Sequence, residues 1–297
     1  MIKCQSWGNS PIALDKLTHI HHILYMDVVL SYFQLNEHPY RIGPDPRYLY
    51  YTDQVKLAIS KCQYMAQERV GPVYIYGPIG SGKTSILRRL HEQLSQDEKY
   101  RLAYIISPNI KTSNSFLRLV LESFAVKTER SYVSSLKNFE AYLIEQYQAG
   151  VTPLLLVDEA QNMTRDTLKL VHYLLNFETS TTKLLQVLLV GQDELAAKII
   201  RYRELASRMF PVAINALSGE EMKKMLEFRW TVAGGKEIPF NGDAQEIYTV
   251  IYQYSKGLPR DAVKLCDDLL RYLTVNQKQR ATVEDIQLVA TQLNMKQ

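Results

Sequence analysis

Cysteine is scarce in this sequence, long apolar runs are missing and net charge is small, and each shortage excludes a class of protein. Cys4, Cys62 and Cys266 are the three cysteines in 297 residues. They stand far apart with no C-x-x-C pair, so no disulfide framework is spelled out and a reducing cytoplasm is the expectation. The longest apolar stretches, such as residues 184–190 with Gln186 inside, fall well short of the roughly 18 residues of a membrane span. No membrane partner is therefore expected. The N-terminus also lacks the basic start, apolar run and small-residue cleavage site of an export signal. Lys and Arg number 35 against 31 Asp and Glu, a formal charge of +4, so any nucleic-acid contact would need a local basic surface. There are no repeats and no low-complexity tract. What is present is 46% hydrophobic residues, enough for the core of one large domain or two modest ones.

The pattern along the chain divides it into three parts. Residues 1–45 are irregular, with turn signals at Gly8-Asn9-Ser10-Pro11, Pro39 and Gly43-Pro44-Asp45-Pro46, and read as an N-terminal extension and lead-in segment. Residues 46–216 open with an amphipathic helix over 52–69, capped by Thr52 or Asp53. Apolar runs at 73–76, 102–106, 154–157 and 185–190 then alternate with helical stretches near 83–96, 113–125, 133–149, 164–178 and 192–202. Such alternation predicts an α/β fold, a parallel sheet with helices on both faces. Residues 217–297 carry four helical patterns, and the capping-box pairs Ser218 with Glu221 and Thr282 with Asp285 set two of their starts. A small helical domain is the reading.

Gly77-Pro78-Ile79-Gly80-Ser81-Gly82-Lys83-Thr84 follows an apolar strand and opens a helix, the context in which G-x-x-x-x-G-K-[ST] binds nucleoside triphosphate. The glycines let backbone N–H groups surround phosphate oxygens at a helix N-terminus. Lys83 would reach the β- and γ-phosphates, the Thr84 hydroxyl would ligate Mg²⁺, and Ser85 completes the nucleotide-binding set. A chance glycine-rich turn is the bland alternative. A second apolar run ends in Asp158-Glu159, a pair that in isolation reads as a solvated helix start. Downstream of the phosphate loop, Asp158 becomes a magnesium ligand and Glu159 the group that orients and polarises attacking water. Glu159 beside the metal ligand favours ATP hydrolysis over phosphoryl transfer to a second substrate.

The order of these parts resembles AAA+ ATPases, and within them the group of ExeA/GspA-like secretion ATPases and TnsC/MuB-like transposition regulators. Tyr32-Phe33-Gln34-Leu35 through Pro39-Tyr40, with Pro44-Asp45-Pro46-Arg47-Tyr48-Leu49-Tyr50, looks like the leading motif of the ExeA-like group, and Asp158-Glu159-Ala160-Gln161-Asn162 like its Walker B segment. The likeness runs from Met26 to the C-terminus. It implies an AAA+ P-loop domain followed by a helical lid. It further implies a sensor-1 residue at Gln192, after Gly191, and a lid arginine at Arg260 in Gly257-Leu258-Pro259-Arg260. An arginine finger offered to a neighbouring subunit would come from Arg201, Arg203 or, by best match, Arg208. Each of those three could instead be an ordinary surface arginine. Asn109 resembles the polar switch residue that contacts the Walker B glutamate, or is a turn former beside Pro108.

The resemblance leaves two roles. ExeA-like proteins usually continue into a membrane helix and a cell-wall-binding domain, whereas this chain stops after its helical lid, which favours the TnsC-like role. That role implies a homo-oligomeric ring or helical filament, of about six to seven subunits per turn, on duplex DNA in the cytoplasm. It also implies a transposase and a TniQ/TnsD-type target-selection protein as partners. Lys111, Thr112 and Asn114, with Lys127 and Arg130, correspond to the group's DNA-facing loops and suit sequence-independent phosphate contacts. A polar loop with Ser113 as helix cap is the alternative. The secretion or envelope-associated ATPase is the second role. His19, His21 and His22 lack the cysteine or carboxylate partners of a metal site. Residues 1–25 read as a partner-binding tail or a misassigned start. Tyr48, Tyr50 and Tyr51 line the adenine pocket or simply pack.

Overall fold

A computed structural model describes residues 28–43, 45–106, 108–240 and 244–296. His19, His21, His22 and the 1–25 tail lie outside them. The chain divides into two compact units. One comprises Gly43–Glu221 with Leu258–Arg260, and the other the segment up to Ile42, Met222–Gly257 and Asp261–Gln297.

The larger unit is an α/β sandwich. Its five strands are β1 (Val73–Tyr76), β2 (Tyr100–Ile106), β3 (Thr152–Asp158), β4 (Gln186–Gly191) and β5 (Phe210–Ala213). They lie in the order β2-β3-β4-β1-β5, and every pairing is parallel. Every residue of β3 and β4 is buried, as expected of central strands covered on both faces. The two-residue period of the strand sends Leu154 and Leu156 into one core and Leu155 and Val157 into the other. The first core receives the Asp53–Glu68 and Lys83–Ser95 helices through Val55, Ile59, Met65, Ile86, Leu87 and Leu90. The second receives Phe116, Leu121, Phe139, Leu143, Val171 and Leu174 from the helices beyond β2 and β3. Full burial of each such side chain is worth about 1.5–3 kcal/mol.

Start signals in the sequence hold up locally. The Thr52 hydroxyl accepts from the Val55 N–H at 3.3 Å. Ser218 and Glu221 cap each other reciprocally, at 2.9 and 3.2 Å, and so do Thr282 and Asp285, at 3.3 and 3.0 Å. Two elements depart from the expected pattern. β5 carries Pro211 and is exposed except at Val212, which hides it in sequence; a strand with proline is tolerated there because β5 is an edge strand, paired to β1 alone. Residues 28–33, expected to be irregular, are helical.

In the smaller unit, fully buried Tyr40 stacks between Trp230 and Phe240, and its hydroxyl donates to the Leu226 carbonyl at 3.1 Å. Arg229 donates to the carbonyls of Pro39, at 2.9 Å, and Arg41, at 3.1 Å. The segment around Tyr40 is thus fastened to the Gly219–Val232 helix by buried polar contacts. Among the described residues no helix is long and apolar enough to cross a membrane.

Phe139 is fully buried among Phe124, Tyr142 and Phe177. Phe139→Ala should therefore lower the unfolding free energy of the larger unit by about 3–5 kcal/mol, read as a fall in the urea midpoint of its transition.

Candidate nucleotide site

β1 ends at Tyr76, and the chain turns at once. Gly77 has φ +153°, and a Cβ there would sit 2.0 Å from the Ile214 carbonyl oxygen, because the Ile214 N–H donates to the Tyr76 carbonyl at 2.8 Å. Only glycine fits beside that backbone. Gly82, at φ +96°, is the N-cap of the Lys83–Ser95 helix, and a Cβ added to it would meet nothing within 4 Å. The loop is therefore an open cradle at the positive end of a helix dipole, the arrangement that receives phosphate. Lys83 is buried and donates to the carbonyls of Gly77 at 2.9 Å and Pro78 at 2.7 Å, and to Ser81 Oγ at 3.3 Å. Burial lowers its pKa from the ordinary lysine value, opposed by Glu159, Asp193 and Asp158 and reinforced by Arg260.

The acidic pair reaches the same edge through sheet register. Tyr76 of β1 lies opposite Gly191 of β4, and Val157 of β3 lies opposite Leu189. Gly77, Gln192 and Asp158-Glu159 thus leave three adjacent strand ends, where parallel sheets bind ligands. The buried Asp158 carboxylate accepts from the Glu159 N–H at 2.9 Å and from the Tyr104 hydroxyl at 3.5 Å. Burial raises its pKa above the usual carboxylate range, and the Glu159 N–H and the nearby Thr84 hydroxyl oppose that. A hydroxyl and a carboxylate close together beside a phosphate cradle fit Mg²⁺, which takes few protein ligands and completes its shell with phosphates and water. Among the described residues no group of three or more metal-ligating side chains offers a closed protein cage.

Glu159 sits in the left-handed region at φ 53°, a conformation costly for a residue with a Cβ and common at functional turns. Its carboxylate accepts from the Gln161 amide. The Gln161 oxygen in turn accepts from the Gln192 N–H at 3.1 Å.

Other expected residues fall as follows. Arg260, in the first turn of the Pro259–Val275 helix, donates its backbone N–H to the Gly80 carbonyl at 3.2 Å, and a Cβ on Gly80 would meet the Arg260 side chain at 3.0 Å. It stands on the phosphate loop. Arg208 does not: it precedes β5, whose first residue, Phe210, lies opposite Val73, the first of β1. Exposed Arg208 donates to Asn176, at the sheet edge opposite the loop. Arg201 and Arg203 are exposed. Asn109 is exposed as well, and the Glu159 carboxylate is held by Gln161 instead. Lys111, Thr112, Asn114 and Arg130 are exposed, while Lys127 pairs with Glu129 at 2.9 Å. The cap of the Ser113–Ser123 helix is Thr112 and not Ser113, whose N–H donates to Asp166 at 2.6 Å. Tyr48 is buried, Tyr50 half-buried, and the Tyr51 hydroxyl accepts from Arg89 on the phosphate-loop helix at 3.0 Å. Gln192 is half-exposed at the end of β4, and Ser85 half-buried after Thr84.

Tyr104, Arg88 and Gln161 were not singled out from sequence. Tyr104 donates to Asp158 at 3.5 Å, and the Arg88 charge near it favours its ionised form. The one available signal for Tyr104 was its place on the second apolar run, since a polar tip there needs a partner.

Comparison with known proteins agrees with this geometry. Residues 67–199 match the family described as AAA domain. The chain is 30% identical over 269 residues to general secretion pathway protein A of Aeromonas hydrophila, a match of 89% of this chain and 48% of that protein. It is 24% identical over 237 residues to an uncharacterized ATP-binding protein of Methanocaldococcus jannaschii, with 63% and 64% covered. The chain thus spans about half of the first and under two thirds of the second. Among solved structures, a chain of the Drosophila ORC bound to DNA superposes with TM-score 0.64 at 16% identity, over 100% of this chain and 70% of that one, which is a likeness of fold.

Asp158 predicts a trade between stability and chemistry. Its raised pKa means that the ionised carboxylate opposes folding at neutral pH. Asp158→Asn should melt a few degrees higher than wild type in magnesium-free buffer near pH 7. The gain should shrink as pH falls through the raised pKa, because the wild-type carboxyl is then neutral too. Differential scanning fluorimetry across pH reads both.

Proposed function

We propose that this chain, with an AAA domain at residues 67–199 in an AAA+ P-loop fold, is an ATPase that binds ATP on the 77–85 loop and hydrolyses it with Glu159. The observation that carries the reading is the convergence of the Gly77–Gly82 cradle, buried Lys83, Thr84, buried Asp158 and Glu159 at one sheet edge. Loop N–H groups and Lys83 bind the triphosphate. Mg²⁺, held by Thr84 and Asp158, would supply neutralisation of charge on the phosphate oxygens. Glu159 accepts a hydrogen bond from the attacking water, and Arg260, on the loop at Gly80, contacts the γ-phosphate and reports its presence. The likeness to the ATP-binding protein of M. jannaschii supports the first step.

The finer reading is that ATP drives assembly on duplex DNA, as in transposition regulators, with a transposase and a TniQ/TnsD-type selector as partners. Exposed Lys111, Thr112, Asn114 and Arg130 support sequence-independent phosphate contact, and the fold likeness to ORC bound to DNA is compatible with it. Arg208 at the far sheet edge suits a finger supplied to a second chain. A secretion-linked ATPase is the second reading, favoured by the 30% identity to general secretion pathway protein A across 89% of this chain.

Glu159→Gln should cut phosphate release by about 10²–10⁴-fold while nucleotide binding survives; equal release from the two proteins would end the ATPase proposal. Mixing Arg208→Ala with Glu159→Gln protein should recover activity that neither shows alone, because each supplies the half-site the other lacks.

For the DNA reading, a fluorescent duplex titrated in a nonhydrolysable ATP analogue should bind irrespective of sequence and weaken steeply with salt. No binding with the analogue would sink that reading and leave the secretion one.

A further inference from the structure

We infer that Gln161 is a positioning residue that ties the hydrolytic glutamate, Glu159, to the end of β4; the inference rests on the reading above that Glu159 acts on the attacking water. The Gln161 amide bridges two elements: its nitrogen donates to the Glu159 carboxylate, and its oxygen accepts from the Gln192 N–H at 3.1 Å. Its orientation is fixed by chemistry. A backbone N–H can only donate and a carboxylate can only accept, so flipping the amide would set donor against donor and acceptor against acceptor.

The surroundings are built for that bridge. Lys198, from the Asp193–Arg201 helix, donates to the Gln161 carbonyl and, at 3.0 Å, to that of Met163, clamping the turn that carries Gln161. Gly191 leaves the amide its space: a Cβ there would lie 2.7 Å from the Gln161 side-chain oxygen and 3.0 Å from its backbone nitrogen. Gly191 itself pairs with Tyr76, the residue before the phosphate loop. The bridge therefore connects Glu159 through β4 to the strand that delivers the loop. Asn109, the residue that the resemblance assigned to hold the glutamate, is exposed, and Gln161 occupies that role from within the Asp158–Asn162 turn.

Turnover and affinity for a fluorescent nonhydrolysable ATP analogue should be measured for Gln161→Leu, Gln161→Asn and Gly191→Ala, each alone and with Glu159→Gln. Gln161→Leu removes both polar atoms, Gln161→Asn shortens the arm while keeping the amide, and Gly191→Ala displaces the amide without altering it. Each should lower kcat about ten- to hundredfold with analogue affinity unchanged within about twofold, and none should lower the residual rate of Glu159→Gln further. Normal kcat in a folded Gln161→Leu or Gln161→Asn protein would overturn the inference. So would parallel losses of kcat and affinity, the mark of a merely structural role, or further loss in the Glu159→Gln background. Equal phosphate release from wild type and Glu159→Gln would remove the hydrolytic reading itself, and the inference with it.

Discussion

The parallel register that sets Tyr76 opposite Gly191 and Val157 opposite Leu189 governs the rest of the larger unit. Three strands running in one direction deliver three loops to one edge, so groups about 75 residues apart in sequence meet without a special turn. β4 in the middle keeps the phosphate loop and the acidic pair one strand apart. That spacing brings Thr84, the second residue of the Lys83–Ser95 helix, near Asp158. An adjacent pairing of β1 with β3 would alter that separation, and with it the room for a metal and phosphates.

That same edge is costly to the folded protein. Lys83 and Asp158 are both buried, and burial pushes each toward its neutral form, the lysine down and the carboxyl up. Each is partly restored by neighbours: carbonyls and carboxylates for Lys83, and the Glu159 N–H and Thr84 hydroxyl for Asp158. The site is held ready for a ligand of opposite charge on each side, and stability is lost to that readiness. Left-handed Glu159 adds backbone strain in the same place. The large cores above and below the sheet offset these costs, which is why so many fully buried leucines and phenylalanines stand on the strands and helices around the edge.

Much of this was legible in sequence, for identifiable reasons. The phosphate loop and the Asp158-Glu159 pair are contiguous, and their flanking runs of Val, Ile, Leu and Tyr state a buried strand without help from the rest of the chain. Helix starts at Thr52, Ser218 and Thr282 were legible because a capping side chain and its N–H lie three residues apart. What failed was whatever depends on distant partners. β5 is four residues with a proline, held by its pairing with β1 and by the one buried side chain of Val212. Thr112 caps where Ser113 was the alternative: its hydroxyl accepts from the Ser115 N–H at 3.3 Å, and the Ser113 N–H, one residue into the helix, donates to Asp166 from another helix. The hold on Glu159 comes from Gln161, and nothing in spacing alone distinguishes Gln161 from Asn162 or Asn109 until Gly191 is seen to leave it room.

The two arginines assigned to the nucleotide illustrate how sheet polarity sorts residues that sequence cannot. Arg260 follows the strands by some fifty residues yet its N–H meets the Gly80 carbonyl, which sets it on the phosphate loop. Arg208 is closer in sequence but enters β5 at the end paired with Val73. Three strand residues then separate that level from Tyr76, roughly 10 Å at about 3.3 Å per residue, and its side chain is turned to Asn176. Within one chain, Arg208 and the loop face opposite edges. On the proposed reading an arginine so placed serves the ATP of another chain, and hydrolysis is then conditional on assembly.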